Sequence, residues 1–264
     1  MSEAVAVAQF APGPDRSANL AVIERLAREA VSRGARLVAF PEYSSYFDGA
    51  PGPGWREHAE ALDGPFVSAL AALADELDAA LVAGTIEPAS DAHRVRNTIV
   101  AVAPRQGLVA SYRKLHLYDA FGAKESEWIE AGEIAEPETF RWADFTVGLQ
   151  TCYDIRFPEV TRRIVDAGAD LVIVPAEWVR GPLKEQHWRT LVTARALENT
   201  IYVLAPGQLP PTAVGSSLIV DPMGVALASL GETEGVAVAV VDPARIAQVR
   251  EVNPALALRR FRVS

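Results

Sequence analysis

Short apolar runs alternate along the chain with stretches whose apolar positions repeat every three or four residues. The first pattern predicts buried strands and the second amphipathic helices. Residues 5–10 predict a strand, broken by Pro12, Gly13 and Pro14. Asp15 or Ser17 then caps a helix running to about 33, in which Leu20, Ile23, Leu26, Ala27, Ala30 and Val31 share one face. Gly34 is placed to end it. A four-residue strand at 37–40 follows, closed at once by Pro41-Glu42. Residues 43–64 mix aromatics, Gly and Pro without a period, which predicts a long loop with functional potential.

A second amphipathic helix spans 65–79. Strands are predicted at 81–86, 97–103 and 108–112, the last two as a hairpin. An irregular stretch ends near 132 and leads to a hairpin-like pair within 140–151. A helix over 158–167, a strand at 170–174 and a helix over 184–198 come next. Strands at 201–205, 217–220 and 236–241 and a short helix over 243–249 precede an irregular tail.

One stretch echoes another. Gly34-Ala35-Arg36-Leu37-Val38-Ala39-Phe40-Pro41 is similar to Gly168-Ala169-Asp170-Leu171-Val172-Ile173-Val174-Pro175. In both, a helix ends at Gly-Ala, a strand follows and Pro stops it. Glu42 follows the first proline directly, and Glu177 lies two past the second. Two such halves would give an α/β fold of two sheets, each covered by helices on its outer face: a four-layer α-β-β-α sandwich.

The totals narrow the function classes. At 264 residues the chain can form one large domain or two small ones, and the pattern is read as a single domain over 1–264. Half of the residues are hydrophobic and 22% are charged, an ordinary globular balance. A net charge of −9 argues against nucleic acid, since the nearest thing to a basic cluster, Arg259, Arg260 and Arg262, is short. The start has no basic and apolar leader pattern, and no apolar run approaches the ~20 residues of a membrane helix, so a cytoplasmic protein without a membrane partner is expected. His58, His93, His116 and His187 are scattered without ligand spacing, so no metal is expected. No G-x-x-x-x-G-K-[ST] or G-x-G-x-x-G motif calls for a nucleotide, and no cofactor is expected.

The chain has one cysteine, Cys152, which excludes an intrachain disulfide. It sits where an apolar run gives way to polar residues, before a helix opened by Pro158. A thiol on such a turn can face a cleft, and the positive end of the helix favours its thiolate. Glu42, Lys114 and Cys152 all lie just past predicted strand ends, where active groups collect in α/β proteins. Singly, each has an ordinary explanation as a loop carboxylate, a surface cation or a buried small residue. Jointly they supply a base, a fixed cation and a sulfur nucleophile, the parts acyl transfer needs.

Phe40-Pro41-Glu42, Tyr112-Arg113-Lys114-Leu115-His116-Leu117-Tyr118-Asp119 and Cys152-Tyr153-Asp154-Ile155-Arg156-Phe157-Pro158-Glu159 resemble, in order, the three signature blocks of the nitrilase superfamily of carbon–nitrogen hydrolases. Arg195-Ala196-Leu197-Glu198-Asn199 and Val220-Asp221-Pro222-Met223-Gly224 resemble further blocks. The resemblance implies the α-β-β-α sandwich, a homodimer or larger assembly, and a Glu-Lys-Cys triad at Glu42, Lys114 and Cys152. It also implies a second active-site glutamate, at Glu125 or Glu127. Tyr153-Asp154 after the cysteine resembles the amidase branches, whereas true nitrilases tend to carry Trp-Glu there.

Several pocket positions stay open. Arg156 either clamps a substrate carboxylate or braces its own turn by pairing with Glu159 or Asp154. Tyr153, whose backbone N–H can stabilise an oxyanion together with Lys114, is a candidate binding residue, and Glu177, Trp178, Tyr46 and Phe47 are candidate lining residues. The expected activity is hydrolysis of a small linear amide, such as an ω-amide of a dicarboxylic acid. N-carbamoyl amino-acid hydrolysis and, less favoured, nitrile hydrolysis are the alternatives within the class. A non-catalytic binding module of the same fold and a Cys-His hydrolase using His116 or His187 lie outside it.

Overall fold

The computed structural model describes residues 1–263 and contains two six-stranded mixed sheets. The strands are β1 (Glu3–Gln9), β2 (Leu37–Ala39), β3 (Ala80–Pro88), β4 (Val95–Ala103), β5 (Gly107–Arg113), β6 (Thr139–Trp142), β7 (Phe145–Leu149), β8 (Leu171–Ile173), β9 (Tyr202–Ala205), β10 (Leu218–Val220), β11 (Ala226–Ser229) and β12 (Gly235–Val241). The helices are α1 (Arg16–Ser32), α2 (Pro65–Leu77), α3 (Pro158–Asp166), α4 (Lys184–Asn199) and α5 (Pro243–Val252). One sheet runs β12-β1-β2-β3-β4-β5 and the other β6-β7-β8-β9-β10-β11. Each has the same pairing sequence: antiparallel, parallel, parallel, antiparallel, antiparallel.

The short central strands are apolar on both faces because both faces are covered. Successive side chains point to opposite sides. Thus Leu37 and Ala39 meet Leu171 and Ile173 in the core between the sheets. Val38 and Phe40 pack instead under α1 and α2 with Ile23, Leu26 and Leu70. Val172 and Val174 do the same under α3 and α4 with Ile164, Trp188 and Val192. Helix, sheet, sheet, helix is therefore the layer order that the apolar pattern predicts.

The sequence echo is a structural repeat. Gly34 and Gly168 both have positive φ, +94° and +102°, at the helix ends. The next amides, of Ala35 and Ala169, bond back to Ala30 and Ile164. Phe40 N–H then bonds Val82, and Val174 N–H bonds Leu204. The two proline-terminated strands hold equivalent places, and both deliver their following residues to one end of the sandwich.

The structure differs from the sequence reading in four places, one being a short 3-10 helix, Glu125–Glu127, in the stretch read as irregular. Residues 221–235 hold an unpredicted edge strand, β11, whose mostly exposed residues carry little of the apolar signal that marks inner strands. The 43–64 loop contains a 3-10 helix, Pro53–His58, packed as an aromatic cluster. Between the cysteine and α3 the chain forms another 3-10 helix, Cys152–Arg156. Among the described residues, no helix is long and apolar enough to cross a membrane.

Candidate active site

Three chain segments converge at the ends of β2, β5 and β7. Glu42 follows β2 on a tight turn that passes over Gly84. A Cβ built there would lie 2.4 Å from Tyr43 N and 2.7 Å from Glu42 Cα, so only glycine allows this approach. Lys114 leaves β5 with its backbone tied to Asn97 O and Gly132 N. Cys152 follows β7 with φ of +44°, a left-handed conformation that few non-glycine residues adopt. Its N–H donates to Pro175 O at 2.9 Å, and Asp154 closes the turn, its N–H donating to Thr151 O at 2.9 Å while its carboxylate accepts from Thr151 N–H.

The convergence is braced by Asp154. Its buried carboxylate accepts from Tyr112 Oη (2.8 Å), His116 N–H (2.8 Å) and Thr151 N–H (3.3 Å), tying the lysine segment to the cysteine turn. His116 Nδ1 sits 2.8 Å from the same carboxylate, and its ring stacks on Phe157. Arg195 completes the brace by donating twice to Ile155 O, at 2.7 and 3.0 Å. His116 thus has a structural hydrogen-bonding place. Neither it nor His187, whose Nδ1 faces Arg156, is hydrogen-bonded to the thiol, which counts against a Cys-His pair.

Lys114 Nζ reaches Glu42 Oε1 at 3.0 Å and both oxygens of Glu125 at 3.0 and 2.9 Å. Burial works to lower the Lys114 pKa. Glu125 and Glu42 outweigh it and hold the ammonium well above the usual lysine range. Asn97 Nδ2 donates to Glu42 Oε1 at 2.6 Å, and Glu177 N–H donates to the other oxygen. Tyr43 Oη donates to Glu125 at 2.7 Å. Of the two sequence candidates, Glu125 is the one that contacts Lys114; Glu127 is half exposed and lies 3.7 Å from Lys124.

Glu42, Lys114, Glu125 and Cys152 line one cavity of about 930 Å³ together with Tyr153, Glu177 and Trp178. The thiol is 6% exposed, so it borders this cavity from a largely buried position. Its Sγ lies 3.5 Å from Glu177 O. Burial and the nearby Glu42 carboxylate push the Cys152 pKa well up, and Lys114 only partly opposes them. This corrects the expectation of a resting thiolate. The ammonium is already shared by two carboxylates, and the favoured state is a neutral thiol beside a carboxylate able to take its proton. Tyr153 N–H, next to the sulfur, makes no hydrogen bond among the described residues and can serve as an oxyanion donor.

Two pocket expectations need correction. Neither Tyr46 nor Phe47 lines the cavity: Tyr46 stacks on His58 at 4.0 Å with its hydroxyl on Asp48, and the Trp55 cluster draws both rings inward. Arg156 pairs with neither Glu159 nor Asp154, since the Asp154 carboxylate is taken and Arg195 does the bracing. Its guanidinium lies over Trp178 (5.0 Å), Phe121 (5.7 Å) and Tyr153 (5.9 Å), and its Nε is buried without a partner. The sequence reading also passed over Lys184. Its Nζ, 2.9 Å from Tyr118 Oη and 4.3 Å from the Phe121 ring centroid, gives the cavity a further cation. Asn97 and Tyr43 were missed too; a polar residue opening an apolar strand was the one available signal for Asn97.

Among the described residues, no group of three or more His, Cys, Asp or Glu side chains is placed to hold a metal ion. A family model for carbon–nitrogen hydrolases matches residues 4–251. A deaminated glutathione amidase from Escherichia coli O157:H7 is 37% identical, over 97% of both chains. An omega-amidase of Xenopus laevis, NIT2-A, is 32% identical over 97% of this chain and 94% of its own. The crystal structure of Saccharomyces cerevisiae Nit3, from branch 10 of the nitrilase superfamily, superposes with a TM-score of 0.86 at 28% identity. It covers 98% of this chain and 97% of that one.

Proposed function

The chain belongs to the carbon–nitrogen hydrolase family, and from that premise we propose that it hydrolyses a small linear amide of the ω-amide type. Glu42 is the base, Lys114 the oxyanion stabiliser and Cys152 the nucleophile. The observation that carries these roles is the single ammonium, Lys114 Nζ, held within 3.0 Å of both Glu42 and Glu125 in the cavity that Cys152 borders. The names of the amidase relatives support the substrate class.

Each step follows from a contact. Glu42 takes the thiol proton as sulfur attacks the amide carbon, so the thiolate forms only during attack. The oxyanion is stabilised by Lys114 and by the free Tyr153 N–H; one such donor is typically worth ~10²–10³ in rate. Protonated Glu42 returns its proton to the leaving nitrogen, and ammonia departs. Glu42 then activates water against the thioester. Glu125, hydrogen-bonded by Tyr43, fixes Lys114 throughout. Lys184, a lining cation without a carboxylate partner among the described residues, holds the distal carboxylate of the substrate, and Arg156, over the Tyr153 and Trp178 rings, adds positive charge beside the pocket.

The test is ammonia release from succinamate, the monoamide of a four-carbon dicarboxylate. Release is expected in the natural chain and absent in Cys152→Ala. Carbon dioxide released with ammonia from N-carbamoyl amino acids, with no turnover of succinamate, would overturn the reading in favour of a carbamoylase. The size of the cavity, about 930 Å³, favours a second reading for the leaving group alone: an amine larger than ammonia. A homodimer in the cytoplasm belongs to the same proposal, with sedimentation and cell fractionation as its measurements.

A further inference from the structure

Glu177 is the largely buried carboxylate of the cavity that the steps above leave without work; Glu127, the other, is half exposed and faces Lys124. Its backbone is fully engaged: its N–H holds Glu42, and its carbonyl lies against the thiol. Its carboxyl group borders the cavity and has no hydrogen-bond partner among the described residues. Many charged groups face it. Glu42, Lys114 and Cys152 approach from the ends of β2, β5 and β7, and Glu125 from its 3-10 turn. Lys184 faces it from the first turn of α4, and the phenols of Tyr43 and Tyr118 complete the ring. Burial, then Glu42, push the Glu177 pKa well above the usual carboxylate range; Lys114 and Lys184 do not compensate. Lys184 Nζ bonds Tyr118 Oη and forms no ion pair with Glu177 among the described residues; burial and Arg156 lower its pKa, with Glu177 opposing them.

Resting on the ω-amide reading, we propose that Glu177 is a specificity-determining residue: in its protonated form it donates a hydrogen bond to the carboxylate end of an anionic amide, and in its ionised form it repels that substrate. The same site then carries an acid switch that acts on substrate charge. Neutral amides, having no carboxylate to accept the bond, are indifferent to it.

The experiment measures KM and kcat as a function of pH, over the whole range in which the chain stays folded, for succinamate and for butyramide, in which a methyl group replaces the carboxylate. In the natural chain the KM for succinamate is expected to rise at least ~10-fold across the range while that for butyramide stays flat. Glu177→Gln keeps a hydrogen-bond donor and removes the titration. Its KM for succinamate is expected to stay within about threefold of the low-pH value throughout. A Glu177→Gln chain that keeps the alkaline rise assigns it to Lys184 and overturns the proposal, as does an equal rise for butyramide. Turnover of neither amide by the natural chain overturns the ω-amide reading and this proposal together.

Discussion

Glu42 and Glu177 hold comparable places in the two halves of the repeat. Each lies just past a three-residue parallel strand, β2 or β8, that a proline stops, and each reaches the same cavity. Their surroundings differ. Glu42 accepts from an ammonium, an asparagine amide and a backbone N–H. Glu177 accepts nothing with its carboxyl and is driven toward its neutral form. The fold delivers a carboxyl group to each strand end; the partners waiting there decide whether it works as a base or as a hydrogen-bond donor.

The largest effect tests what the two carboxylates serve. Cys152→Ala is expected to lower amide turnover by more than ~10⁴-fold, measured as ammonia release, with thermal stability little changed. Next comes the cation. Lys114→Met is expected to lower kcat by ~10³-fold or more. It also leaves Glu42 and Glu125 buried together without a counter-charge, and breaking a buried pair this way costs about 3–5 kcal/mol. A Lys114→Met chain with most of its activity would favour a Cys-His enzyme and remove the basis for treating Glu42 as special.

The direct contrast is Glu42→Gln against Glu177→Gln, both isosteric. The first is expected to lose ~10²–10⁴ in kcat through the missing base. The second, at the acid end of its range, is expected to stay within tenfold of the natural chain. Equal losses would erase the distinction between the halves. Gly84→Ala probes the geometry alone. The added Cβ would collide with the backbone between Glu42 and Tyr43, so lower activity and ~1–3 kcal/mol lower stability are expected, read by kinetics and thermal melting.

The smallest effect lies outside the site. Glu130 accepts from Ser90 and Arg96, and these bonds outweigh burial to lower its pKa to about 2. A lowered carboxylate pKa stabilises the fold above the unfolded value of ~4.3 and loses that contribution as pH falls toward about 2. Glu130→Gln is therefore expected to destabilise the chain at neutral pH and to match it near pH 2, with catalysis unaffected. Denaturant midpoints at both pH values measure it.

Much of this arrangement was legible in the chain itself. The apolar runs 37–40 and 170–174, their prolines and the Gly-Ala starts predict the paired halves, because buried parallel strands need continuous apolar residues. Glu42, Lys114 and Cys152 stand out as reactive types at strand ends. What stayed hidden depends on packing across long sequence separations. Arg156 looks able to brace its own turn until α4 brings Arg195 onto Ile155 O. Lys184 reads only as the opening of a helix, and Tyr46 as a cavity aromatic, until Trp55 and His58 claim it. The thiol's protonation depends on how Lys114 divides itself between two carboxylates, one of them in a loop with no periodic signal.

The covalent step is the most exposed part of the account. Rapid acid quench of the natural chain with succinamate, followed by intact-mass and peptide mapping, is expected to show one acyl group attached to Cys152 with its nitrogen gone. Turnover of succinamate without that adduct, or an adduct mapped to any other residue, would contradict the roles assigned to Cys152, Lys114 and Glu42.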